Sequence, residues 1–381
     1  MNYKQVIKHF LPYSVINFIK KEQDRSPRIN YNIGLSAGKQ PKVFFSYVNG
    51  FLTTEDLTRC HGTRDVECAL FLSALVKQGC RVDLARYDCE KGIRNDYDYV
   101  IGQGEAFRKA SAINPKAKRI LYLTENPPAY SLKKEEERIA YFEERHHKKV
   151  GVARSGKFFR DEDFENLDLC IFIGNPSDSE KIPDIRTYTI RPSGIINPLF
   201  DVKSRDYKTA KSRFMWIGSY GAVHKGLDIL FDVFHRHPEL QLYVLGFNEK
   251  DRRMLKGMLP SNAIDFGYLN ITGKKFARLA SECGFVILPS CSERLATSVI
   301  TGMNHGLIPI VAKETGIQAP VGEVLSDYKV DSIDDAITRW SDMDVSRLSE
   351  MSEQTIKFAR DTYSIEKYSQ RISEIVGSVI R

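Results

Sequence analysis

Apolar runs long enough for a buried strand recur along this chain, and amphipathic stretches fill the gaps between them. In the first half the runs fall at Lys42–Val48, Arg81–Tyr87, Tyr97–Ile101, Arg119–Thr124 and Cys170–Gly174, with another at Thr187–Ile190. A helical stretch, about Arg64–Gln78, separates the first two, and Gly79 is placed to stop it. A strongly charged helix, about Leu132–His147, has few apolar positions and is expected to face solvent. The polar, basic stretch Asp201–Arg213 reads as a linker. Beyond it, strands are predicted at Phe214–Gly218, Gln241–Leu245, Ile264–Tyr268, Gly284–Leu288 and Ile308–Ala312. The helix after the first of these carries Leu227, Leu230, Phe231 and Phe234 at i, i+3, i+4, i+7 spacing. A final helix, about Ser364–Ile380, gathers Ile365, Tyr368, Ile372, Ile375 and Val379 on one face, suited to its own domain or to crossing back to the first.

Strands alternating with helices imply parallel sheets covered on both faces. Two such rounds predict an α/β chain of two doubly wound, Rossmann-like domains, with a ligand cleft between their strand C-terminal edges. The boundaries follow from the pattern: 1–203, 204–360, and a terminal helix over 361–381. At 381 residues the chain is too long for one compact core, which agrees.

One corner carries most of the candidate chemistry. In VILPSCSERLATSVITGMNHGLIPIV (Val286–Val311), a strand runs into a polar loop holding Glu293, and Thr297–Ser298 then open a helix. Exposed N–H groups and the macrodipole make a helix start an anion site. The acid ahead of it suits sugar hydroxyls and repels phosphate. The corner therefore grips two chemically different parts of a nucleotide-sugar. A second corner, FMWIGSYGAVHKG (Phe214–Gly226), ends its strand in Gly218, holds Ser219 and Gly221, and places Lys225 at the next helix. Glycines admit a phosphate close to the backbone and a lysine supplies a point charge. An ordinary strand-to-helix turn with a solvated lysine fits the second corner taken alone. In the first half, Glu125 and Asn126 (YLTENPPAY) end a strand where they would face the cleft; acceptor contact and a structural turn explain them equally.

Composition narrows the partners. With 42% hydrophobic and 28% charged residues the chain is an ordinary globular protein. Its formal charge of +7 suits anionic small molecules or an anionic membrane surface. No Arg/Lys-rich run or RNP-like aromatic pattern points to nucleic acid. Seven cysteines, odd in number and without a C-x-x-C pair, read as reduced thiols of a cytosolic protein. No run has the length of a membrane span and no signal-peptide pattern is present, so a cytoplasmic location is expected. The segment Tyr3–Lys21 mixes apolar residues with lysines as an interfacial helix does, although Pro12 interrupts it. Peripheral contact with the inner face of a membrane and a short helix packed on the domain are both open. Three D-x-D triplets (Asp96–Asp98, Asp161–Asp163, Asp342–Asp344) do not close strands of a nucleotide-binding unit, and no metal or other cofactor is expected.

The stretches IGSYGAVHKGLDIL, LYVLGF and LPSCSERLATSVITGMNHGLIPIV together resemble the donor-binding domain of GT-B glycosyltransferases, specifically retaining enzymes of family 4. The likeness covers most of residues 213–315 and holds only in outline before them. It implies a metal-independent transfer of a sugar from a nucleotide-diphospho-sugar to a glycan or lipid-linked acceptor, in the setting of bacterial surface polysaccharide assembly. Lys225 matches the lysine on the donor diphosphate. Glu293 matches the first acid of an E-x7-E motif, which contacts the donor sugar. Thr297, Ser298 and Val299 match the helix start that holds the distal phosphate, and Gly218, Ser219, Gly221 and Tyr268 belong to the same donor side. His61 falls where the family has a histidine near the transferred sugar; a helix-capping or core histidine accounts for it equally well.

Three departures qualify the likeness. Ser219 stands where the family has an arginine, Arg294 and Ala296 stand for two glycines, and Thr301 stands for the second acid. Arg294 is expected to replace the missing phosphate cation. Losing the carboxylate at 301 removes an acceptor for two ribose hydroxyls, about 1–3 kcal/mol, which disfavours a deoxyribose donor least. An inverting GT-B enzyme with His61 or Glu125 as base, and a non-catalytic nucleotide-sugar-binding protein, remain alternatives.

Overall fold

The computed structural model describes residues 28–29, 40–49, 62–175 and 185–380. His61, Cys60 and the segment Tyr3–Lys21 lie outside the described residues. The first sheet is built from β1 (Arg28–Ile29), β2 (Lys42–Tyr47), β3 (Arg81–Arg86), β4 (Tyr99–Gly102), β5 (Lys118–Leu123), β6 (Leu169–Ile173) and β7 (Thr187–Ile190). Their spatial order is β1-β3-β2-β4-β5-β6-β7, parallel throughout except for the antiparallel edge strand β1. Alternate strand residues feed opposite faces. Phe45, Tyr122 and Ile171 pack with α1 (Thr63–Lys77), whereas Phe44, Leu121 and Phe172 pack with α2 (Gly104–Ile113). Burial on both faces is why these strands read as continuous apolar runs.

The second sheet runs β10-β9-β8-β11-β12-β13, all parallel, from β8 (Arg213–Ile217), β9 (Gln241–Leu245), β10 (Ala263–Gly267), β11 (Phe285–Leu288), β12 (Ile308–Ala312) and β13 (Glu323–Leu325). In chain order after α3 (Pro128–His146) come α4 (Tyr207–Ala210), α5 (Leu227–Arg236), α6 (Glu249–Met254), α7 (Lys274–Glu282), α8 (Thr297–Asn304), α9 (Val330–Ser341), α10 (Val345–Thr362) and α11 (Ile365–Val379). The strand order reverses between β2 and β4 in the first sheet and between β8 and β11 in the second. Loops leaving strands at a reversal diverge and open a crevice, and both candidate corners of the sequence lie at the second one.

Helix α3 faces solvent along one side, with Lys133, Glu136, Glu137 and Glu144 exposed, but its other side is buried, Glu135 and Arg138 being 1% and 0% exposed. Its charges are satisfied across the domain boundary, Arg138 by Asp228 and Arg145 by Asp228 and Asp232. The stretch Asp201–Arg213, read as a linker, is anchored to the second domain at one buried side chain. Buried Arg205 donates to the carbonyls of Ala280, His305 and Gly306 and to Ser352 Oγ. Helix α11 lies on the first domain beside α1, where the Tyr122 and Tyr368 hydroxyls meet at 2.9 Å and Arg371 donates to the Thr189 carbonyl.

Candidate functional site

A cleft of about 500 Å³ lies between the strand C-terminal edges of the two sheets. Its walls include Tyr47, Thr124 and Ile173 from the first domain and Ile217, Leu245 and Tyr268 from the second. At its floor Lys225 is ion-paired with Glu293, their side chains 7% and 12% exposed. The loops carrying them are locked together. Gly226 adopts φ +71°, and a Cβ there would stand 2.3 Å from the Pro289 carbonyl oxygen. Only glycine permits both the left-handed conformation and that approach. Ser290 Oγ donates to Glu293 Oε1 at 3.2 Å, and the Glu293 N–H donates to the Glu314 carbonyl at 2.8 Å. Burial would raise the Glu293 carboxyl, but Lys225 and Arg154 outweigh it and hold it down at about 2. The acid is therefore a fixed anion at neutral pH.

Helix α8 begins at the same place. Thr297 and Ser298 line the cleft, and the helix start has no side-chain cap. Val299 does not line it: the residue is buried, and its N–H donates to the Ala296 carbonyl at 2.9 Å. Thr301 lines the cleft and accepts from the Ile195 N–H at 3.4 Å, so the position without a carboxylate takes part in seating the segment that crosses between domains. Gly218 and Ser219 line the cleft; Gly221 lies beneath the Arg154 side chain; Tyr268 stands at the rim, 76% exposed.

Arg294 lines the cleft and is bonded across it. Its side chain turns to the first domain, where Nε donates to the Ile173 carbonyl, Nη1 donates to Asn126 Oδ1, and the guanidinium lies 4.1 Å from the Phe172 ring centre. Two of its nitrogens are committed there, which ties down the cation expected on the donor phosphate. Asn126 is the other half of this contact. It is 5% exposed and donates to Ser292 Oγ and the Glu293 carbonyl, bracing the Glu293 loop rather than offering its amide to an acceptor. Glu125 does line the cleft, between Arg64 at 3.7 Å and Arg154 at 3.5 Å. Of the D-x-D triplets, Asp96 pairs with Lys42, Asp163 with Arg108, and Asp344 caps α10; none lines the cleft.

Several cleft residues carry no signal in the sequence. Arg154 and Ser155 come from an irregular segment after α3. Their N–H groups and that of Ala153 donate to the buried Glu135 carboxylate, which also stands 3.5 Å from His224 Nδ1. Glu67 of α1 is buried at the cleft's first-domain wall. A charge within a long amphipathic helix reads as solvent-facing, so only the tertiary contacts reveal Glu67 and Glu135.

Solved structures share this architecture. Sucrose-phosphate synthase from Thermosynechococcus elongatus aligns over 90% of this chain and 99% of its own, with 12% identity and a TM-score of 0.62. HepE from Anabaena, in complex with UDP-glucose, aligns over 89% and 100%, with 13% identity and a TM-score of 0.57. TarM of S. aureus aligns over 75% of this chain and 57% of its own, with 15% identity and a TM-score of 0.54. No family model matches the chain, and no curated protein matches its sequence. The chain has the GT-B fold: two doubly wound α/β domains with a cleft between them.

Proposed function

We propose that this chain is a glycosyltransferase that moves a sugar from a nucleotide-diphospho-sugar, bound by the second domain, to an acceptor held against the first. The observation that carries the reading is the Lys225–Glu293 pair inside the interdomain cleft, at the strand-order reversal and beside the start of α8. A cation and a helix start suit a diphosphate leaving group, and a permanently ionised acid suits sugar hydroxyls. HepE, which shares the fold, binds UDP-glucose in its solved complex.

In the retaining transfer that the resemblance implies, the bond between the sugar's anomeric carbon and the diphosphate oxygen breaks. The acceptor oxygen bonds to the same face, and its proton passes to the departing phosphate. Lys225 neutralises charge growing on that phosphate, while Glu293 orients the sugar. This assignment asks for no separate base and no metal. A glycan or lipid-linked acceptor of surface polysaccharide assembly, met at a membrane's inner face, completes the reading.

Binding to the folded state alone raises stability by mass action, so a thermal-shift panel of UDP, dTDP, GDP and their sugar conjugates tests the donor site. One nucleoside diphosphate is expected to raise Tm, and its sugar conjugate to release it in the presence of acceptor. Glu293→Ala is expected to abolish release. No shift with any of them refutes the reading.

A further inference from the structure

Among the described residues, the buried cations of the donor corner itself are Lys225, already paired with Glu293, and Arg294. The residue that stands where an arginine would add another, Ser219, is uncharged, and Arg294 is bonded to the first domain. A nucleotide diphosphate brings two or more negative charges into the cleft, so one lysine leaves it under-compensated. Arg154 supplies what is missing from the opposite side. It belongs to the first domain, yet its side chain crosses the cleft. Its Cγ and Cδ would each lie 3.0 Å from a Cβ placed on Gly221, and its guanidinium lies 4.7 Å from the Tyr220 ring centre. Gly221 and Tyr220 belong to the loop that leads to Lys225.

The Arg154 backbone is fixed, because the N–H groups of residues 153, 154 and 155 all donate to Glu135, itself 1% exposed. The guanidinium, by contrast, is held at arm's length. Among the described residues its hydrogen bonds, to the Tyr220 carbonyl and Glu125 Oε1, are both 3.5 Å, at the limit of such contacts. Burial would lower its pKa, but Glu293 and then Glu125 reverse the effect and keep it raised. Lys225 and Arg154 are the first and second charges holding Glu293 ionised, so both cations act on one point of the cleft.

We infer that Arg154 is a ligand of the donor diphosphate, contributed by the first domain to a site otherwise built by the second. This rests on the donor reading above and adds to it that the donor is gripped from both sides. Nucleotide affinity then depends on how the domains stand against each other, and not on the second domain alone.

The test is binding of UDP, dTDP and GDP, with their nucleosides as controls, to the wild type and to Arg154→Met and Arg154→Lys. Methionine keeps the stem that lies over Gly221 and removes the charge, and the ligand-free Tm checks folding. Losing a charge-assisted bidentate contact weakens the preferred diphosphate about 10- to 100-fold. The nucleoside should bind as before, and Arg154→Lys should recover part of the loss. Unchanged diphosphate affinity in Arg154→Met, or equal loss for the nucleoside, overturns the inference while leaving the donor reading intact. If the wild type binds none of the three diphosphates, the donor reading falls and takes the inference with it.

Discussion

Replacing Glu67 by glutamine should make the protein more resistant to alkaline pH. Glu67 sits in α1, 1% exposed, and its Oε1 accepts the Ser193 N–H at 3.1 Å where the chain leaves the first domain. Burial raises its carboxyl from 4.5 to about 8, against smaller lowering effects of the Ser193 N–H and Arg64. A raised folded-state value means that the folded protein keeps a proton the unfolded chain has released. The associated stability is complete below the unfolded value and is lost progressively until pH passes the folded one. The slope is about 1.4 kcal/mol per pH unit and flattens as pH nears the folded value, so between pH 6 and 8 the wild type loses ~2 kcal/mol from this group. Glutamine has the same shape, still offers Oε1 to Ser193, and does not titrate. Melting curves of both proteins from pH 5 to 9 should show Glu67→Gln gaining on the wild type by on the order of 5 °C across that window. Parallel Tm profiles refute the reasoning, because they mean that Glu67 titrates alike in the folded and unfolded chains.

Asp228→Ala should cost about 3–5 kcal/mol, because it strands the fully buried Arg138 without its carboxylate. Urea denaturation and limited proteolysis check this, and a loss under about 1 kcal/mol contradicts it. Gly226→Ala forces a side chain into a left-handed φ and against the Pro289 carbonyl, which should cost about 1–3 kcal/mol or more. It should also separate the Lys225 and Glu293 loops and abolish the nucleotide-induced Tm shift; a shift equal to the wild type's shows that the loops tolerate the insertion.

The alternating sheets and both corners at the second strand reversal are legible because each is local: a strand, a loop and the next helix lie within some twenty-five residues of one another. The edge strands Arg28–Ile29 and Glu323–Leu325 are not, being too short to show a period. The buried side of helix α3 is hidden from the sequence for a different reason. Its charges look solvated by pattern, but the partner of Arg138 lies ninety residues on, across the domain boundary. Arg294 shows the same limit at the site itself. Its position beside the helix start suggested phosphate, whereas its direction is set by Ile173 and Asn126, which the local sequence does not reveal. Arg154 comes from an irregular segment with no periodicity at all.

The chain passes between its domains near Ser193–Ile195 and again at Tyr363–Ser364, and the two passages are bonded to each other, Gly194 N–H to the Tyr363 carbonyl at 3.1 Å. Paired in this way, they form an axle. Rotation about it displaces each group in proportion to its distance from the axis. Thr301, bonded to Ile195, sits at the short end of that lever. Asn126 with Ser292, Arg294 with the Ile173 carbonyl, and Arg138 and Arg145 with Asp228 are among the contacts that would have to release for the cleft to widen. Any rotation of one domain against the other would pivot at these two bonded strands and be resisted by the side chains that meet across the cleft.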